Sequence, residues 1–193
     1  VGLKVVERRA SQMTEGDLLG LPKMDGDVTS FCPPDWFAEA CSTGVLLFLD
    51  EVDRATLEVR QGIFELCDSR KLAGHVLHPE TLIFAAVNGG THAGAASYQV
   101  GEMDPAELDR YTTFDVEPSV DDWLTWANEN CQPLVVDFIR NNVAHLEHND
   151  DFEPNKVYPS RRSWKRLSDC LVDACLLQEA SPVLFNLSCG FVG

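Results

Sequence analysis

Two short, almost wholly apolar runs mark the first half of the chain, at residues 45–49 and 81–87. Runs of this length are typical of strands that are buried on both faces, as in a parallel sheet covered by helices. Between them, residues 55–69 carry apolar positions at helical spacing, which predicts an amphipathic helix. This order of strand, helix and strand predicts an α/β fold with a parallel sheet between helices.

Weaker patterns and turn residues predict short elements around these two runs. They are a strand at residues 3–7, a turn at 17–22, a loop or hairpin at 23–34, a helix at 35–40 with Asp35 as its N-cap, a hairpin within 70–80, a flexible loop at 89–97, a helix at 104–110 and a strand at 113–116.

The pattern becomes helical after about residue 118. Three amphipathic segments follow, at residues 120–130, 133–148 and 164–179, and no glycine occurs from residue 102 to residue 189. This shift in composition predicts two parts, an α/β part at residues 1–117 and an all-helical part at residues 118–193.

Two carboxylates, Asp50 and Glu51, stand where the first apolar run ends, and Asn88 stands where the second ends. Ligands of open α/β sheets bind outside the carboxyl ends of the strands, so these positions are candidates for a site. The alternative is an ordinary core strand followed by an acidic helix start, because acids also favour helix N-termini.

The charge balance limits the partners of the chain. Lys and Arg total 15 against 31 Asp and Glu, a net charge of −16, so direct binding to nucleic acid is not expected. The seven cysteines include no CxxC pair, which favours a reduced cytoplasmic protein with buried thiols. No apolar run approaches the length of a membrane span.

Five segments occur in the order and spacing of AAA+ ATPases, and the chain most closely resembles the MoxR-like branch with a helix-2 insertion. They are residues 16–22, 47–55, 84–88, 103–111 and 160–164. The resemblance implies a three-layer core of the P-loop NTPase type and a C-terminal helical lid. It also implies a ring, with a hexamer expected, that hydrolyses ATP with Mg²⁺ and remodels a protein client.

The resemblance gives the two acids distinct roles. Asp50 would hold Mg²⁺, largely through water, and Glu51 would orient and deprotonate the attacking water. Asn88 resembles sensor 1, which contacts the γ-phosphate and the lytic water; the alternative is a turn asparagine before Gly89 and Gly90.

Two arginines match motifs that act across subunits or from the lid. Arg110 resembles the arginine finger that reaches a neighbouring subunit; the alternative is a helix-end cation or an ion-pair partner. Arg162 matches the lid arginine called sensor 2, but Arg161 stands where the family usually has proline, so either arginine remains a candidate. A solvated basic helix start is the alternative for this pair.

The phosphate-binding motif G-x-x-x-x-G-K-[ST] does not occur in these 193 residues. In the family, the strand and helix that carry it lie just upstream of the first strand predicted here. We therefore expect an incomplete core that binds ATP weakly or not at all by itself, as part of a longer protein that binds and hydrolyses it. Two rivals remain: a non-hydrolysing scaffold subunit of the same fold, and a nucleic-acid motor, which the acidic charge disfavours.

Overall fold

The computed structural model describes residues 2–88, 103, 105–148, 152–177 and 180–193. Predictions for the loop at 89–97, for Asp104 and for the end of the helix at 164–179 lie outside these residues. The described residues up to Phe114 form one compact unit, and those from Asp115 onward form a second.

The first unit contains all the strands of the described residues. Its elements are β1 (Lys4–Arg9), α1 (Glu15–Leu19), β2 (Leu21–Asp25), β3 (Val28–Cys32), α2 (Asp35–Ser42), β4 (Val45–Asp50), α3 (Leu57–Ser69), β5 (Lys71–Leu72), β6 (His75–Val76), β7 (Leu82–Ala85) and α4 (Pro105–Leu108).

The predicted α/β fold with a parallel sheet is confirmed. Three strands pair in the order β1-β4-β7, and both pairs are parallel. The register places Arg9 opposite Asp50 and Leu49 opposite Ala85, so the carboxyl ends of all three strands reach one edge of the sheet. The central strand, β4, therefore ends between two neighbours.

The core of the first unit lies on one face of β4. Val45, Leu47 and Leu49 are fully buried, whereas the alternate residues of the strand are only half-buried, so the prediction of burial on both faces is wrong for this strand. From α3, Ile63 and Leu66 join this core, and a threonine caps that helix. The period of two along β4 and of about 3.6 along α3 explains which residues are buried.

The edge strand β7 is less buried than its apolar sequence predicts. Leu82 is 40% exposed and Phe84 is 53% exposed. Buried Thr81 fixes the start of the strand: its hydroxyl donates to Ala40 O at 2.9 Å and accepts from Val45 N at 3.4 Å. β7 is thus anchored to β4 while its outer edge stays open among the described residues.

Two antiparallel hairpins project from the sheet unit. β2 pairs with β3 and β5 pairs with β6, which confirms hairpins within 23–34 and 70–80. Every residue of β2 and β3 is exposed. The hairpins touch where the His75 ring Nε2 lies 3.2 Å from Phe31 O.

Several local predictions are wrong. Residues 113–116 form no strand, and Phe114 and Val116 are 79% and 88% exposed, because no described strand pairs with them. The predicted turn at 17–22 contains the end of α1, which begins in a capping box between Thr14 and Asp17. Asp35 is the first residue of α2, and Pro34 is its N-cap.

The second unit is helical, as its composition predicts. Its helices are α5 (Val120–Asn130), α6 (Pro133–Asn141), α7 (Arg161–Asp173) and α8 (Pro182–Val192). The segment predicted at 133–148 is shorter because Asn142 leaves helical geometry, and α7 ends at Asp173. A separate core holds this unit together: Trp123, Ala127, Val135, Val136, Ile139, Leu146, Trp164, Leu167 and Leu171.

All seven cysteines are free, and Cys32 and Cys175 are exposed, so the prediction of buried thiols fails for these two. Among the described residues, no helix combines the length and the apolarity needed to cross a membrane.

Replacing Leu47 by alanine tests the placement of the core. Because Leu47 is fully buried in the central strand, we expect Leu47→Ala to lower the free energy of unfolding by about 2–5 kcal/mol. The matched control is Leu57→Ala, at a position 60% exposed, which should change it by less than about 0.5 kcal/mol. Urea denaturation followed by circular dichroism measures both, and equal losses would contradict this core.

Candidate functional site

The candidate site is the acid turn, residues 50–53, which follows the central strand β4. Glu51 has left-handed backbone angles, φ 55° and ψ 40°, before a short 3₁₀ turn at Val52–Arg54. A glutamate in this conformation costs free energy, and such residues cluster where a chain must aim a functional group. Neighbouring elements therefore have to hold the turn in place.

The β1 side holds the first two acids. The Ser11 hydroxyl donates to the Glu51 carboxylate, and Arg9 Nε lies 3.7 Å from Asp50 Oδ2. The other Asp50 oxygen accepts from the backbone N–H of Glu51 at 2.9 Å. Both side-chain partners come from the end of β1 or the turn just after it, so the parallel pairing of β1 with β4 brings them to the acids.

The β7 side holds the rest of the turn. Val52 N donates to Ala86 O at 3.3 Å, and Ala86 N donates to Leu49 O at 2.8 Å. Asp53 is 2% exposed, and its Oδ2 accepts from the backbone N–H of Asn88 at 2.9 Å. The acid turn is thus bonded to the carboxyl ends of both neighbouring strands.

Three of the predicted site residues, Asp50, Glu51 and Asn88, therefore lie at the same edge of the sheet. Sequence reasoning missed three residues that hold them: Arg9, Ser11 and Asp53. The strand register could have indicated Arg9, which pairs with Asp50. Ser11 and Asp53 make their contacts across 40 and 35 positions of sequence, beyond any local pattern.

Arg110 lies in the same unit, against α3. Its guanidinium carbon is 4.2 Å from the centre of the Phe64 ring, its Nε is 3.7 Å from Asp68 Oδ1, and it also donates to Ala106 O. The side chain is 32% exposed. Cation–π contact and ion pairing together keep it on the surface of its own unit in this structure.

Tyr111, the residue after Arg110, is hydrogen-bonded to α3. The thiol of Cys67 donates to the Tyr111 hydroxyl at 3.5 Å. Burial raises the pKa of the Cys67 thiol, and the hydrogen bond to Tyr111 opposes that shift more weakly. Neutral thiol is therefore favoured, as expected for a packing residue rather than a nucleophile.

In the second unit, the side chains of Arg161 and Arg162 make different contacts. Arg161 pairs with Glu147 at 2.7 Å and donates to the backbone oxygens of Pro118 and Ser119 at 3.0 and 2.6 Å. Arg162 is exposed and makes no hydrogen bond or ion pair with any described residue. Arg161 thus ties the start of α7 to residues 118–119, whereas no described residue prevents Arg162 from binding a ligand.

A cleft of about 400 Å³ opens beside β1, lined in part by Arg8, Arg9, Asp17 and Trp36. Arg8 lies 6.0 Å from the centre of the Trp36 ring and 3.6 Å from Asp35. Its lining includes two arginines and two aspartates, Asp17 and Asp35, so their charges largely cancel.

The carboxylates of the acid turn can bind a cation and accept a proton from a charged ligand or its attacking water. Carboxylate oxygens at a strand edge can hold a hard cation, and a second carboxylate can accept a proton. Among the described residues, no group of three or more His, Cys, Asp or Glu side chains is arranged to hold a metal ion. A cation at Asp50 would therefore share its coordination with water or ligand oxygens.

Comparisons with known proteins do not assign the chain to a family, so its family has to be inferred from the candidate site. No protein-family model matches the chain, and no curated protein matches it.

The two adjacent arginines give a direct test of this geometry. Arg161→Ala should lower the free energy of unfolding of the second unit by about 1–3 kcal/mol, because it removes the ion pair with Glu147 together with the hydrogen bonds to the backbone oxygens of Pro118 and Ser119. Arg162→Ala, the matched control, should change it by less than about 0.5 kcal/mol. Urea unfolding measures both; a larger loss for Arg162→Ala would reverse the assignment.

Proposed function

We propose that the chain belongs to a Mg²⁺-dependent AAA+ ATPase of the MoxR-like type and carries the hydrolytic edge of its core. The observation that carries this proposal is the acid turn. Asp50 and Glu51 leave the central parallel strand next to Asn88, and Glu51 adopts a left-handed conformation held by Ser11. Strand edges of this kind bind ligands in open α/β sheets.

In this proposal, Glu51 and Asn88 act on the attacking water and on the phosphate. Ser11 occupies Oε2 of Glu51. Oε1 of Glu51 makes no hydrogen bond to a described residue, so it can accept the proton of an attacking water. Asn88 is exposed and its side-chain amide bonds no described residue, so it can donate to a phosphate oxygen or orient that water.

The residues also fit the magnesium ion that the proposal implies. Asp50 is 30% exposed at the strand end, with Oδ2 facing Arg9 at a distance too long for a strong hydrogen bond. Magnesium keeps several waters and uses one or two carboxylates with substrate phosphates, so Asp50 is a sufficient protein ligand. When bound, the ion neutralises charge that develops on the phosphates.

The open edge of β7 supports a sheet that continues beyond the described strands. On one face of β7, Leu82 and Phe84 are 40% and 53% exposed, whereas β1 exposes Val5 beside the charged Lys4 and Glu7. A longer sheet with its covering helices would bury this apolar face, so we propose that a further strand pairs with β7. We place the phosphate-binding strand of the proposed ATPase at this edge, where its loop would face Asp50 and Glu51.

The two projecting hairpins support a protein client. Leu21, Met24 and Val28 are 72%, 70% and 66% exposed on β2 and β3, and large exposed apolar groups on a projecting element favour protein contact. Lys23 and Phe31 lie on the same hairpin and are further candidates for contact with the client. We propose that both hairpins face the centre of a ring, which we expect to be a hexamer, and grip the client.

The proposal for Arg110 requires a change of contacts. To reach a neighbouring subunit as an arginine finger, the side chain has to leave Phe64 and Asp68. Both contacts lie partly in solvent and are weak enough to exchange for a phosphate. Arg162, which makes no such contact with a described residue, is a better candidate than Arg161 for the sensor 2 role in the lid.

Glu51→Gln tests the proposed reaction in the protein as its host produces it. We expect unchanged ATP affinity but hydrolysis slower by about 10²-fold or more, because glutamine cannot accept the proton of water. The matched control is Glu65→Gln on the exposed side of α3, which should leave turnover unchanged. Phosphate release and equilibrium ATP binding are the measurements.

Three results would contradict this proposal. Unchanged turnover of Glu51→Gln would remove Glu51 from its role. Absence of Glu51-dependent hydrolysis together with intact partner binding would favour the scaffold subunit. Turnover that rises severalfold with added DNA or RNA would favour the nucleic-acid motor.

A further inference from the structure

Asp53 is a buried acid that the proposed reaction does not use directly. It is 2% exposed, yet its only hydrogen bond to a described residue joins Oδ2 to the backbone N–H of Asn88. The other oxygen, Oδ1, is fully buried and has no hydrogen-bond partner in the part of the chain that the structure describes. A carboxylate in this setting is costly, because burial without full hydrogen bonding is unfavourable for a polar group.

An apolar side chain of similar size would suit this burial better. Val52, the preceding residue, is 2% exposed and belongs to the apolar core of this unit, so aliphatic groups pack close to position 53. The acid makes one hydrogen bond to the described residues, to the backbone N–H of the exposed Asn88. Packing of the core therefore does not account for an acid at position 53.

The contact instead fixes the position of one candidate site residue relative to another. Asp53 lies two residues after Glu51, and Asn88 lies three residues after the end of β7. The ladder bonds between β4 and β7 end with Ala86 N on Leu49 O, so beyond Ala86 the Asp53–Asn88 bond continues the connection.

We propose that Asp53 is a positioning residue that holds Asn88 at a fixed distance from Glu51 for ATP hydrolysis. The proposal rests on the ATPase function argued above. Asp53 touches neither phosphate nor water in this scheme. It acts by keeping the Asn88 backbone, and with it the side-chain amide, in place as the γ-phosphate is attacked. Misplacement of a positioning group by about 1 Å can cost 10²-fold in rate.

Two variants separate positioning from packing. Asp53→Leu removes the acceptor and keeps the bulk, whereas Asp53→Asn keeps an oxygen for Asn88 N–H. The first test is amide hydrogen exchange by NMR on this chain. Asp53→Leu should speed exchange at Asn88 by about tenfold or more, while Ala86, held by Leu49 O, stays protected as the internal control. Asp53→Asn should retain the protection at Asn88.

The second test is ATP turnover in the protein as its host produces it. Asp53→Leu should lower kcat by about 10²-fold with ATP affinity and unfolding midpoint unchanged or higher, and Asp53→Asn should restore most of kcat. Unchanged kcat in Asp53→Leu, or equal losses of kcat in both variants, would overturn the proposal. So would unchanged Asn88 exchange in Asp53→Leu.

Failure of the inference can be told apart from failure of the proposed function. If Glu51→Gln abolishes turnover but Asp53→Leu does not change it, only the positioning role is overturned. If Glu51→Gln leaves turnover unchanged, the proposed function fails, and the positioning role fails with it whatever the exchange data show.

Discussion

The left-handed turn at Glu51 is the constraint on which the candidate site depends. The left-handed conformation at φ 55° costs a glutamate free energy, and here the neighbouring strands on both sides bond the turn. Ser11 binds the Glu51 carboxylate from the β1 side, while Val52 bonds Ala86 on the β7 side. The turn is therefore a property of the three-stranded sheet rather than of its own sequence.

The core of the first unit makes this support rigid. Leu47 and Leu49 are fully buried in the central strand, so β4 cannot shift without opening the core. At the opposite end, Thr81 ties β7 to Ala40 and to the start of β4. Both ends of the β4–β7 pair are fixed, so the positions of the carboxylates in the acid turn are fixed as well.

The sequence indicated the strands and acids better than the contacts that hold them. The apolar runs predicted β4 and β7, and the turn residues around Gly26 and Gly74 predicted two hairpins. Residues 113–116 misled because their apolar pattern suits a strand, but a strand also needs a partner. The partners of Glu51 and Asn88 were missed because they lie 40 and 35 positions away in sequence. Only the pairing of the strands brings them together.

The position of the nucleotide is the most direct test of the central claim. An experimental structure of the protein as its host produces it, with Mg²⁺ and a non-hydrolysable ATP analogue, should place the γ-phosphate at the carboxyl ends of β4 and β7. The ion should lie beside Asp50, with Glu51 and Asn88 facing the phosphate. A nucleotide bound elsewhere, with the acid turn facing solvent, would contradict the proposed hydrolytic site.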